Sequence, residues 1–146
     1  MLLTRRNTFA VIAGLVLLTF GQHRTAAQES GEVPKIILSG FDAYKAEGPD
    51  AALKAWVKGG PVDGSKDALS QANVLRQVQD YYGTYKAFDL IRVRTLTPTT
   101  RILYFVIDFE KGPLFAKFIA YRTDQGWIIT YFTFNTKDEI IIPVCP

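Results

Sequence analysis

The stretch RILYFVIDFEKGPLFAKFIAYR, residues 101–122, holds two apolar runs around a short polar turn. A half-buried antiparallel strand alternates apolar with polar residues. These runs are apolar at nearly every position and carry only Asp108 and Lys117 in their interiors. A two-residue turn at Lys111-Gly112 would place Phe105 opposite Phe118, Val106 opposite Lys117 and Asp108 opposite Phe115. One face then carries Leu103, Phe105, Ile107, Phe109, Leu114, Ala116, Phe118 and Ala120, all apolar. The other carries Ile102, Tyr104, Val106, Asp108, Phe115, Lys117, Ile119 and Tyr121. A one-residue slip would mix these sets, so the division itself supports the pairing.

Working outward, the period of two extends over residues 86–96 before this hairpin and 127–135 after it. The connections TPTT and TDQG are short and turn-rich, so the four segments predict an antiparallel meander. In the first strand the expected core face is Ala87, Ile91 and Val93, with Leu90, Arg92 and Arg94 opposite. The fourth admits two settings, one turning Ile128, Thr130, Phe132 and Phe134 inward and the other Ile129, Tyr131 and Thr133. The first is preferred because its Phe pair would meet Ala116 and Phe118. The closing DEIIIPVCP predicts a short edge strand ended by Pro143.

N-terminal to the strands the period becomes helical. Ile37, Phe41 and Tyr44 form the stripe of a helix stopped at Gly48. Pro49 suits the first position of a second helix, with Ala52, Leu53, Trp56 and Val57 on one side. Ser65 is an N-cap for a third, whose stripe is Ala68, Ala72, Leu75, Val78 and Tyr82 and whose end is Gly83. Three helices followed by four strands define an α+β domain with the helices on one sheet face.

The first 27 residues read as an export signal. Arg5 and Arg6 precede a twelve-residue apolar run, Phe9 to Phe20, and Thr25-Ala26-Ala27 supplies small residues before Gln28. The run is shorter than the ~20 residues a membrane span needs. TRRNTF hints at twin-Arg export, with its Phe one place late. The expected divisions are a signal at 1–27, a flexible leader at 28–34, one domain at 35–142 and a tail at 143–146. The expected destination is the periplasm or the exterior, with no stable membrane span in the mature chain.

Cleavage would remove three of the 17 Lys+Arg and none of the 14 Asp+Glu, leaving 14 of each. A neutral chain gives no electrostatic support for nucleic acid as a partner. The one histidine, His23, leaves with the signal, and His-dependent nucleophilic catalysis and His-ligated zinc leave with it. Cys145 is the single cysteine and can form no internal disulfide. No acidic spacing matches a metal or calcium loop and no glycine-rich phosphate loop occurs, so no cofactor, metal or catalytic residue is assigned.

The remaining candidates are surfaces. Ile102, Val106, Phe115 and Ile119 on the second sheet face would expose an apolar patch larger than monomers usually carry. Arg92, Arg94, Tyr104, Asp108, Lys117 and Tyr121 share it, and a second copy would let Arg92 or Lys117 pair with Asp108. That face is the expected homodimer interface.

Together, AALKAWVKGG, VLRQVQDYYGTY and DQGWIITYF in this order of elements resemble the nuclear-transport-factor-2-like, or cystatin-like, α+β cone. The resemblance implies a curved sheet under three helices, often with a ligand cavity between them and often dimeric through the outer sheet face. Such a cavity would be lined here by Trp56, Tyr82, Phe105 and Phe118 and would take a small apolar ligand. Members include noncatalytic binding modules, the reading preferred here. They also include isomerases and hydrolases using a carboxylate or phenol, for which Asp108 would be the acid/base candidate. Tyr81, Tyr82 and Tyr85 cluster at the helix–sheet junction, where their hydroxyls are expected to cap buried polar groups.

Overall fold

A computed structural model describes residues 32–143. The export signal, the leader before Glu32, and Cys145 lie outside the described residues. Helices α1 (Lys35–Glu47), α2 (Pro49–Val57) and α3 (Lys66–Tyr82) precede strands β1 (Tyr85–Thr97), β2 (Thr100–Phe109), β3 (Gly112–Thr123) and β4 (Gly126–Asn135). The strands form one antiparallel sheet in the order β1-β2-β3-β4. Helix α1 packs on both edge strands, β1 and β4, so the sheet curls around it.

Local chemistry sets the helix ends. Gly48, at φ 94°, lies in a region L-residues avoid, and its N–H bonds to Tyr44 O at 2.9 Å. Its position lets Pro49 open α2 immediately, with Asp50 in the favourable first turn. Ser65 caps α3 by accepting from Ala68 N–H at 3.1 Å.

The helix stripes and one sheet face bury each other. Ile37, Phe41, Trp56, Leu75, Leu103, Phe105, Ile107, Leu114 and Phe118 are all essentially inaccessible. Trp56 is the centre of this layer. Its indole N–H donates to Ile37 O at 3.0 Å, and its ring meets Phe41, Phe118 and Phe134 at 5.2, 5.1 and 5.7 Å between centroids. The ring reaches Ile37 because Gly40 leaves the way clear. A Cβ there would stand 1.8 Å from Trp56 Nε1.

The sheet departs from the expected pairing in three places. The β2–β3 turn is Glu110-Lys111, so Phe105 faces Ala116, Leu103 faces Phe118, Tyr104 faces Lys117 and Asp108 faces Pro113. Tertiary bonds hold this turn: Glu110 N–H donates to Thr84 O at 3.2 Å and Lys111 N–H to Tyr82 O at 2.9 Å. The offset from the expected register is two residues, so every side chain keeps its face. In β1 the inward-facing set is instead Tyr85, Phe88, Leu90 and Val93, opposite Phe109, Ile107, Phe105 and Leu103; Tyr85, Phe88 and Val93 pack on the core, while Leu90 is 41% exposed. Irregularities between Tyr85 and Ala87 and between Leu90 and Arg92 each insert a residue and reverse the alternation. Ala87 therefore points outward, opposite Asp108, and Ile91 is exposed at a bulge. Val93, Arg92 and Arg94 keep their expected faces because the two reversals cancel.

β4 combines both settings. Phe132 and Phe134 are buried opposite Phe118 and Ala116, and so is Ile129 opposite Ala120. A bulge at Thr130 joins them, its hydroxyl donating to Ile119 O at 3.3 Å. Ile128 is consequently an outward residue opposite Tyr121. The C-terminal segment is not an edge strand but one helical turn, α4 (Asp138–Ile141), packed on β3 and β4 with Ile141 buried. Edge strand β4 is covered in another way, for Phe134 N–H donates to Gln71 Oε1 of α3 at 2.8 Å.

The approach of α1 to Trp56 gives a direct test. Gly→Ala inside a helix normally favours folding by about 0.8–1 kcal/mol. Gly40→Ala should instead destabilise by about 1–3 kcal/mol, because the methyl must displace the indole in a filled core. Urea unfolding followed by Trp fluorescence measures the difference, and a stabilised variant would contradict the packing.

Candidate functional site

The outer sheet face is built by the strand register. In-register residues stand side by side on one face. From the Glu110-Lys111 turn along the strands, the rows are Ala87, Asp108, Pro113; then Asp89, Val106, Phe115, Asn135; then Arg92, Tyr104, Lys117, Thr133; then Arg94, Ile102, Ile119, Tyr131; then Thr97, Thr100, Tyr121, Ile128. All six residues expected at an interface, Arg92, Arg94, Tyr104, Asp108, Lys117 and Tyr121, fall on this face.

Two acids lie in the first two rows and three cations in the next two. Asp108 is four residues along β2 from the partner of Lys117, roughly 13 Å at strand spacing. No ion pair forms between them within the chain. The ion pair among the described residues is Arg76–Asp50, joining α3 to the first turn of α2 on the exposed helical surface. Half-buried Val106 and Phe115 share the Asp89 row and half-buried Ile102 and Ile119 the Arg94 row, with Tyr104 and Lys117 between the two pairs. Tyr104, flanked by Arg92 and Lys117, is only 3% exposed, while Tyr121 and Tyr131 are each 43% exposed. Lys117 Nζ stands 6.0 Å from the Tyr131 ring centroid. Asp89 was missed by the sequence reading. Its outward position depends on the first β1 bulge, which leaves no mark in the residue pattern.

The other four candidates divide. Trp56, Phe105 and Phe118 are fully buried and meet one another, Trp56–Phe118 at 5.1 Å and Phe105–Phe118 at 5.8 Å between ring centroids. Tyr82 stands apart, half-buried at the α3–β1 junction over Gly112. It lines a surface groove of about 310 Å³ with Val74, Val78, Tyr81 and Phe134, none of the other three candidates among them. The structure thus brings three of the four together as core and places the fourth at a groove.

The junction tyrosines also differ from expectation. Tyr81 is 76% exposed, and the hydroxyl with a protein partner is that of Tyr44, donating to Gln79 Oε1 at 3.0 Å. Tyr44 and Tyr85 stack at 4.8 Å. Burial, and secondarily Tyr85, pushes the Tyr44 phenol above its ordinary range. Burial, and secondarily Asp42, pushes Tyr85 up as well. Both phenols therefore stay neutral to higher pH than a free tyrosine, and that of Tyr44 serves as a donor. Asp108, the carboxylate considered for acid/base work, is on the outer face opposite Ala87 and Pro113, away from the helical side. Among the described residues no three His, Cys, Asp or Glu side chains gather as a metal site, and no helix is long and apolar enough to cross a membrane.

No protein-family model matches the chain, and no curated protein matches it. Among solved structures it is similar to a domain of unknown function with a cystatin-like fold from Nostoc punctiforme, at 16% identity and a TM-score of 0.35. The match covers 45% of this chain and 48% of that one, about half the length of each. The α+β class rests on the chain's own topology, with helices laid on a curled four-stranded antiparallel meander.

The buried phenols predict an alkaline limit to stability. An unfolded tyrosine ionises near 10.0, whereas folded Tyr44 keeps its proton to higher pH. Stabilisation from this group is complete below that value and declines as the pH rises above it. The urea midpoint should hold steady up to about pH 10 and fall above it. Tyr44→Phe should flatten part of that decline, while losing about 1 kcal/mol with the Gln79 bond.

Proposed function

We propose that the protein is an exported, noncatalytic, nuclear-transport-factor-2-like module that acts as a homodimer through the outer sheet face. The observation that carries this is the distribution of charge on that face. Acids occupy one end and cations the adjoining rows, interspersed with apolar residues, and no ion pair forms among them within the chain. A two-fold axis running across the strands between the Asp89 and Arg92 rows would lay each copy's Asp89 over the other's Arg92. It would also bring Asp108 beside Arg94. Such a surface is self-complementary, as an isologous contact requires.

Size supports the same occupant. Four strands ~4.8 Å apart and about ten residues long at ~3.4 Å each make a face of roughly 600 Å². Standard interfaces bury about 800 Å² per partner, so the whole face and its rim would be used. Half-buried Val106 and Phe115 would lie near the centre, in the position where apolar anchors contribute most.

Export is supported by the basic residues, apolar run and small-residue site of positions 1–27. The mature chain should then begin at Gln28, which intact-mass measurement of a periplasmic or secreted fraction checks. A small apolar ligand is supported less by the aromatic interior, where Trp56, Phe105 and Phe118 fill one another's space, than by the groove beside Tyr82.

Analytical ultracentrifugation at micromolar concentration tests the dimer. The wild type should sediment as a dimer, and Ile119→Asp should give a folded monomer with unchanged circular dichroism. Arg92→Glu should weaken association at least tenfold, and Asp89→Arg combined with it should restore much of the loss. A monomeric wild type would defeat the reading.

A further inference from the structure

The end of the sheet remote from the Glu110-Lys111 turn carries a second cluster, on the helical side. Arg101 and Arg122 share that face with Trp127, through the pairings Arg101–Ala120, Ala120–Ile129 and Arg122–Trp127. Both guanidinium groups approach the same indole, Arg101 at 4.7 Å and Arg122 at 5.9 Å from the ring centroid. The start of α1 closes the other wall. Lys35, Val33 and Glu32 line a cleft of about 220 Å³ with the two arginines and Trp127.

Three cations, Arg101, Arg122 and Lys35, line this cleft against one carboxylate, Glu32, which is ion-paired with none of them. Arg101 gives one N–H to the backbone carbonyl of Glu32. Its Nε is buried and has no hydrogen-bond partner. Neither arginine, nor Lys35, is ion-paired with a carboxylate among the described residues. Helix α1 has no side-chain cap and no acid in its first turn; its Ile37 N–H bonds to Pro34 O at 2.9 Å, and the Lys35 and Ile36 N–H groups before it have no side-chain acceptor. Burying a guanidinium donor without an acceptor is unfavourable, and placing two guanidiniums on one ring compounds it by like-charge repulsion. An oxyanion in the cleft would accept from the guanidinium N–H groups that reach it, since guanidinium forks match carboxylate and phosphate oxygens.

We propose that the Arg101–Arg122–Trp127 cleft at the start of α1 binds a compact oxyanion, the carboxylate or phosphate head of a small molecule. The volume suits a head group, because drug-sized ligands occupy ~300–1,000 Å³. The cleft is on the helical side of the sheet, so the inference does not depend on the dimer.

The test is a titration of the ¹⁵N-labelled protein with inorganic phosphate and with sodium acetate. Each is compared with sodium chloride at equal ionic strength, following the Arg101 Nε–H and Trp127 indole N–H resonances. Saturable shifts with phosphate alone would identify a phosphate site, and with acetate alone a carboxylate site. Arg122→Gln should weaken binding about tenfold, and Arg76→Gln, which removes a cation elsewhere on the surface, should leave it unchanged. Arg101→Gln should weaken it at least as much, and if that variant does not fold, the exposed Arg122 decides. Shifts that never saturate, shifts reproduced by chloride, or an Arg122→Gln protein that binds like wild type would overturn the proposal.

Discussion

The fold depends on one indole seated against one glycine. Trp56 crosses from α2 over Gly40 of α1, donates its N–H to Ile37 O, and turns its ring onto Phe118 and Phe134 of the sheet. Two helices and two strands therefore meet at a single side chain. The polar nitrogen is satisfied inside the core, so the whole ring is buried without leaving an unpaired donor. Phe41 extends the contact towards β1 by stacking on Phe88 at 4.0 Å. The curl of the sheet follows from this arrangement, because both edge strands must reach α1.

Curling a sheet requires defects, and they are unevenly placed. β2 and β3, the central pair, run in unbroken register, while the edge strands β1 and β4 hold the irregularities. Bulges bend a strand and increase its twist, and they also make an edge less able to pair with another chain. On β1 they do a third thing by turning Asp89 to the outer face in the row next to that of Asp108. The electrostatic pattern from which the dimer is inferred is thus a by-product of the geometry that closes the core.

The two charged regions of the molecule differ in kind. On the outer face acids and bases are both present but separated, an arrangement that a second copy of the same surface can neutralise. At the start of α1 the cations are concentrated with an indole and an uncapped helix end, an arrangement that an added anion would neutralise. A mature chain of balanced overall charge would contain both, which is why net charge alone describes neither.

Much of this was legible in the residues. The helix limits at Gly48, Ser65 and Gly83 follow from backbone and capping chemistry that acts over a few residues. The two faces of β2 and β3 follow from alternation, and they survived a register error because a two-residue offset preserves parity. The bulges in β1 and β4, the turn at Glu110-Lys111 and the helical form of residues 138–141 were decided by the tertiary structure. Each depends on a bond to a distant partner, such as Lys111 N–H to Tyr82 O, or on the curvature needed to bring both sheet edges to α1. The cluster of Arg101, Arg122 and Trp127 was invisible for the same reason. Its members are ordinary strand residues until the sheet's far end is brought against the first turn of α1.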